Sequence, residues 1–259
     1  LVDDKTLLIA ISQSGETLDT LEALREGKRK GARVLSVVNV VGSSVARESD
    51  DVFYTWAGPE ISVASTKAYT TQLMCMYILA LYMGEAKGSI SDEYYKKIIS
   101  ELKSTPGKLQ AVLDRKGEVE ALANIFYSRN DIFFIGRGLD SCVSYEGSLK
   151  LKEVSYINSL AITAGELKHG TIALVEDDTL IFALASQDFL FEKMLSNIEE
   201  VKTRGARVVG IAKKSKNAIQ SKADEVIFIP DCADEITPLL TVVPLQLFAY
   251  YVAKRRGTN

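Results

Sequence analysis

Apolar residues in this chain fall into short continuous blocks, such as Leu7-Leu8-Ile9-Ala10-Ile11, separated by longer stretches in which they recur every three or four positions. The blocks predict buried strands and the 3.6-residue recurrence predicts amphipathic helices. In the first half this gives strand 6–11, helix 18–30, strand 33–39, a short helix 43–49, strand 51–55 and a long helix 64–83. A polar stretch from Gly84 through Lys116, interrupted by Pro106, reads as a helical connector. Beyond it come strand Asp131 to Ile135, helix Cys142 to Val154, an irregular stretch to Gly170, and strands near 179–185, 207–211 and 225–229. A last helix starts at about Thr237. Strands alternating with helices specify an α/β class with parallel sheets covered on both faces, and such sheets hold ligands at the carboxyl ends of their strands. Two units are expected, 1–105 and 106–259.

The turn after the first strand carries the densest chemistry. Ser12-Gln13-Ser14-Gly15-Glu16-Thr17 places three hydroxyls and a glycine between a strand and a helix. A helix N-terminus offers free amides and a positive dipole end, so this turn suits a phosphate, although Ser14 or Thr17 would also serve as an ordinary N-cap. An internal repeat weighs between the two. The segment from Leu180 to Ala212 follows the pattern of Thr6 to Val38 at a spacing of 174 residues, and Gly31-Ala32-Arg33-Val34 returns as Gly205-Ala206-Arg207-Val208. In that register Ser14 to Thr17 become Asp188, Phe189, Leu190 and Phe191. A carboxylate ~4 Å from a phosphate costs about 4 kcal/mol at an effective dielectric of about 20, more than a charge-assisted hydrogen bond returns. One copy is expected to bind phosphate and the other to be structural.

Composition narrows the setting: 259 residues, 47% apolar, with a formal net charge of −3 that gives no basic excess for nucleic acid. Cys75, Cys142 and Cys232 lie far apart without paired spacing, which argues against a disulfide framework or zinc site and fits a reducing cytoplasm. The longest apolar run, Leu239 to Ala253, contains Pro244 and Gln246 and reads as too short to span a bilayer. No signal-peptide pattern is seen, and no metal or cofactor is expected. Gly136-Arg137-Gly138 lacks the third glycine of a dinucleotide fingerprint.

Four stretches together, Ser12 to Thr17, Ala64-Ser65-Thr66-Lys67-Ala68, Leu149-Lys150-Leu151-Lys152-Glu153 and Gly165-Glu166-Leu167-Lys168-His169-Gly170, resemble the sugar-isomerase (SIS) domains of the glucosamine-6-phosphate synthase family. The resemblance covers the whole chain. It implies two tandem flavodoxin-like three-layer α/β/α units, and a sugar phosphate, fructose-6-phosphate or glucosamine-6-phosphate, as ligand. It places the phosphate loop on Ser12, Gln13, Ser14 and Thr17 and a sugar-contacting loop on Val63, Ala64 and Ser65, where a helix N-cap by Ser65 or Thr66 is expected as well.

Glu153 matches the family's base, which moves a proton between C1 and C2 of the open-chain sugar, and one carboxylate near both carbons suits that transfer. Lys150 matches an active-site lysine. By spacing alone Glu146, Lys150 and Glu153 also form a ladder of the kind found on solvated helices. His169, the only histidine, matches a ring-opening residue contributed by the neighbouring subunit, which implies a homodimer. An imidazole is suited to moving protons near neutral pH.

The departures from the family pattern are specific. The family's tail lysine, which forms a Schiff base with the ketose, has no match up to Asn259, and Lys254 does not replace it. An opening strand and its serine-bearing loop are expected ahead of Leu1, so the first unit reads as incomplete and the stretch alone as inactive. A histidine and a glutamate usual after the base stand here as Asn158 and Leu160. A glucosamine-6-phosphate deaminase-like enzyme and a sugar-phosphate sensor remain alternatives, the sensor having no use for Glu153 together with His169.

Overall fold

The computed structural model describes residues 2–258 and divides into two units, Leu1–Tyr95 and Lys96–Asn259. In the first, β1 (Leu7–Ser12), β2 (Arg33–Val38) and β3 (Asp51–Tyr54) form a three-stranded parallel sheet in sequence order. The connecting helices are α1 (Leu18–Arg29) and α2 (Ser44–Glu48), and α3 (Lys67–Ala86) follows the sheet. Ala10, Val34 and Val38 pack against Leu21 and Leu24 of α1 and Val45 of α2. That arrangement follows from the spacing: strand residues two apart share a face, and α1 residues three apart share a stripe.

Helix α4 (Asp92–Leu113) crosses from one unit to the next and continues through Pro106, so the connector is helical over most of its length. The second unit adds α5 (Lys116–Phe126), β4 (Asp131–Gly136), α6 (Leu139–Ser155), β5 (Asn158–Thr163), β6 (Leu180–Leu184), α7 (Phe191–Lys202), β7 (Arg207–Lys213), β8 (Glu225–Ile229) and α8 (Thr237–Arg256). Its sheet is entirely parallel, in the order β5-β4-β6-β7-β8. Relative to the first strand this is the doubly wound 2-1-3-4-5 order. Phe133, Ile135, Ile181 and Ala183 face α7, while Phe134 and Phe182 face the other side, where Phe182 meets Phe248 of α8 at 4.6 Å between centroids.

Strand β5 corrects the expectation of irregular chain from 155 to 170. Its polar opening, Asn158-Ser159, hides the alternation, and as an edge strand it pairs only with β4. Beyond β5 the stretch continues as a 3₁₀ turn, Ala164–His169. Helix α3 starts three residues later than expected. Helix α8 runs through Pro244 and is long and apolar enough to cross a membrane by length and composition, contrary to the reading from the broken run, but most of it is buried in the protein.

The register of the repeat also changes. Leu7 pairs with Arg33 and Leu180 pairs with Arg207, so the second strands and their glycine turns correspond at 174 residues whereas β1 and β6 correspond at 173. The extra residue lies in the turn before β7, where Gly205 (φ 85°) repeats the left-handed Gly31 (φ 90°). Ser12 therefore corresponds to Ala185, Gly15 to Asp188 and Thr17 to Leu190.

Candidate active site

The Ser12–Thr17 turn closes on itself and on α2. Ser12, buried at the end of β1, accepts the Gly15 amide on its Oγ at 3.0 Å and lies 3.5 Å from Thr17 Oγ1. Ser14 Oγ accepts the Glu16 amide at 3.2 Å. The Glu16 carboxylate accepts the Ser44 amide at 2.8 Å, a backbone bond that lowers its pKa, and Gly15 O accepts the Val45 amide at 2.9 Å. Gly15 holds φ 67°, and a Cβ there would lie 2.1 Å from Ser43 Oγ, so the turn admits only glycine. Thr17 occupies the N-cap position of α1 without a side-chain capping bond, contrary to the ordinary-cap reading. With no side-chain cap, the first turn of α1 keeps the character of an anion site.

Val63, Ala64 and Ser65 lie in the loop between β3 and α3, with Val63 fully exposed, Ala64 buried and Ser65 half-buried. The cap of α3 comes from Glu60, whose Oε2 accepts the amides of Thr66 (3.4 Å) and Ala68 (3.0 Å), and not from a Thr66 side-chain bond. Sequence reasoning missed Glu60 because it lies several residues ahead of the helix. It also missed Asn39, just past β2. The Asn39 amide donates to Gln13 O at 3.1 Å, its Oδ1 accepts Thr55 Oγ1 and the Ala57 amide, both at 2.9 Å, and its Nδ2 donates to Gly58 O at 2.7 Å.

In the second unit, α6 brings Lys150 and Glu153 together with Nζ and Oε2 2.5 Å apart. Glu146 approaches the same ammonium at 3.6 Å, within coulombic reach but beyond hydrogen-bond distance. The ladder is not a solvated face: Lys150 is only 4% exposed. Burial pushes the Glu146 carboxyl up to about 7 against the opposing pull of Lys150. Glu153 keeps about a third of its side chain in solvent, as a group meeting a substrate requires. Thr258 Oγ1 donates to Val154 O at 2.7 Å, beside Glu153. His169 ends the Ala164–His169 turn, largely exposed, with Glu166 at 3.9 Å.

The copy of the phosphate turn is occupied by its own unit. The Asp188 amide, standing where Gly15 stands in the first unit, donates to both carboxylate oxygens of Asp234 at 2.8–2.9 Å. Lys213, 2% exposed, bridges Asp234 (2.5 Å) and Asp188 (3.1 Å). The Asp188 carboxylate, expected to repel a phosphate, is thus neutralised by Lys213 and by Lys216 at 3.1 Å. What closes this turn is Asp234.

A doubly wound parallel sheet preceded by a partial repeat of itself, with a hydroxyl-rich turn at a strand end, defines an α/β protein with a candidate anion-binding turn. The family model of the SIS domain matches residues 1–82 and 125–254, and the chain belongs to that family. Over its whole length the chain is 60% identical to the glutamine–fructose-6-phosphate aminotransferase (isomerizing) of Caldanaerobacter subterraneus subsp. tengcongensis and 54% identical to that of Clostridium tetani, covering 43% of each. It thus spans less than half the length of these relatives. Among solved structures, the C-terminal domain of glucosamine-fructose-6-phosphate aminotransferase from Francisella tularensis matches with a TM-score of 0.95 at 40% identity, over the full chain and 73% of that domain.

Proposed function

We propose that this chain is the isomerase part of a glutamine–fructose-6-phosphate aminotransferase, converting fructose-6-phosphate and ammonia to glucosamine-6-phosphate. Ser12, Gln13, Ser14 and Thr17 hold the phosphate, and Val63, Ala64 and Ser65 the sugar. Ammonia replaces the C2 carbonyl oxygen with loss of water. Glu153 then takes a proton from C1 and returns it to C2, while the O1 hydroxyl proton ends on nitrogen as the C1 aldehyde forms. Lys150 holds the Glu153 carboxylate in place and balances its charge. His169, largely exposed with Glu166 at 3.9 Å, opens the sugar ring of the neighbouring subunit in a homodimer.

The observation that carries this reading is the hydrogen bond between a buried lysine and a part-exposed carboxylate on α6. Burying a lysine is costly without a paired charge, so the pair fits a built site better than surface decoration. The test is Glu153→Gln in the full-length protein. The variant should bind fructose-6-phosphate normally yet lose solvent-deuterium incorporation at C1, and exchange at the wild-type rate would remove Glu153 from the chemistry.

A further inference from the structure

The segment Thr55–Gly58 contains the first unit's least favourable backbone. Trp56 adopts φ 53°, a left-handed conformation rare for a bulky side chain, and its ring is mostly solvent-exposed, meeting only Tyr54 at 5.7 Å among the described aromatic pairs. Little packing holds that conformation. Beside the Thr55 amide's bond to Val38 O at 3.0 Å, the described bonds that hold it come from Asn39, whose side chain binds Thr55 on one side of Trp56 and Ala57 and Gly58 on the other. The same residue's amide is bonded to Gln13 O, inside the proposed phosphate turn. Asn39 is therefore the one residue whose described hydrogen bonds reach both the Ser12–Thr17 turn and the loop leading to Val63–Ser65.

We infer that Asn39 is a positioning residue that fixes the spacing between the phosphate-binding turn and the sugar-contacting loop, and so sets the preference for a sugar phosphate over bare phosphate. The inference rests on the proposed roles of those two loops. Its physical content is a separation of effects. The bond to Gln13 belongs to the backbone and survives any side-chain change, while the three bonds to Thr55, Ala57 and Gly58 do not. Loss of the side chain should release the Trp56 turn, and with it the path of the sugar loop, while leaving the phosphate turn intact. The corresponding position in the second unit is Lys213, and there the side chain clamps Asp234 in the turn's anion position instead of a loop.

The test compares calorimetric affinities for inorganic phosphate and fructose-6-phosphate. In Asn39→Ala, phosphate affinity should stay within about twofold of wild type while fructose-6-phosphate affinity falls about tenfold, the effect of losing one or two net hydrogen bonds' worth of ordering. Trp56 is the chain's only tryptophan, so its emission should shift in the same variant. Asn39→Asp keeps the acceptor for Thr55 and Ala57 and should recover part of the preference. If Asn39→Ala does not fold, Thr55→Val removes one of the three bonds and should give a smaller change in the same direction. Equal weakening of both ligands, or an unchanged preference in a folded variant, overturns the positioning role. Ser14→Asp measured in parallel separates the two levels: it should lose both ligands, and undiminished binding there overturns the underlying assignment of the phosphate turn.

Discussion

Replacing Glu146 by glutamine should flatten the pH dependence of the second unit's stability. Burial raises the Glu146 carboxyl from 4.5 to about 7 in the folded chain, and burial likewise raises Asp140, which accepts the Ser186 amide and hydroxyl, from 3.8 to about 6. Between the unfolded and folded values the native chain keeps protons that the unfolded chain has released. Stability therefore falls as pH rises through that window. Integrating from pH 5 to pH 7.5 gives a loss of about 2 kcal/mol at Glu146 and about 1 kcal/mol at Asp140. Glutamine cannot titrate, so Glu146→Gln should lose only the Asp140 part.

Other carboxylates of this unit act in a different window. Burial alone would raise Asp188, Asp224 and Glu200, but lysine hydrogen bonds outweigh it and hold all three below their ordinary values. Their stabilisation is complete above the ordinary carboxylate range and is lost only in acid, below pH 5. Urea denaturation followed by far-UV circular dichroism at constant ionic strength would measure the slopes. Trp56 fluorescence follows the first unit separately, since the chain's only tryptophan lies there. Equal slopes in wild type and Glu146→Gln would refute the reasoning, because they would mean that Glu146 is ionised throughout and shares the charge of Lys150.

Ser14→Asp should weaken fructose-6-phosphate binding about a thousandfold by calorimetry, since a carboxylate ~4 Å from the phosphate costs about 4 kcal/mol at an effective dielectric of about 20. Gly15→Ala should destabilise the first unit by at least about 1–2 kcal/mol, the cost of a left-handed alanine before its clash with Ser43, read by urea denaturation with Trp56 fluorescence. A crystal soaked in selenate should show an anomalous peak on the Ser12–Thr17 turn and none at residues 186–191, and a peak at the Asp188 amide would contradict its occupation by Asp234. Full-length His169→Ala and Glu153→Gln chains, each nearly inactive, should recover roughly a quarter of wild-type activity on mixing, because about half the dimers are mixed and each mixed dimer holds one intact site. Inactive mixed dimers, verified by native mass spectrometry, would place His169 within its own subunit or outside catalysis.

The alternation of apolar blocks and amphipathic stretches was enough to place every strand of the first unit and four of the five in the second, because buried parallel strands carry an undiluted apolar signal. Strand β5 escaped because only one neighbour pairs with it and its first two residues are polar. Prolines misled in α8 for a related reason: Pro244 removes one helical bond, but the helix around it is buried and held by packing. At the candidate site, residue types announced the Ser12–Thr17 turn and the Lys150–Glu153 pair, whereas burial of Lys150, which separates a built pair from a solvated ladder, is a tertiary fact. Asn39 and Glu60 were illegible for the same reason, since their partners lie in loops whose path no local pattern dictates.

The register shift changes how the divergence of the two copies is understood. In the gapless alignment the second copy keeps Ser186-Gln187 in place of Ser12-Gln13 and appears to fail as an anion site through repulsion by Asp188. In the folded register Ser12 has become Ala185, Ser14 has become Gln187 and Thr17 has become Leu190, so those three hydroxyls are gone while Ser186 takes the place of Gln13, and the amide of Asp188 is satisfied by Asp234. The neighbouring helix start is filled as well: Gln187 Oε1 accepts the Leu139 amide at 2.8 Å, and Asp140 accepts Ser186. The crevice where a doubly wound sheet ordinarily holds its ligand is thus packed with the unit's own polar groups. The Lys150–Glu153 pair sits at the other end of α6, near the helix C-terminus. The first turn is thus lined by hydroxyls and amides and its copy by a carboxylate, so an anion proposed for the first turn meets no equivalent second site in the plugged copy.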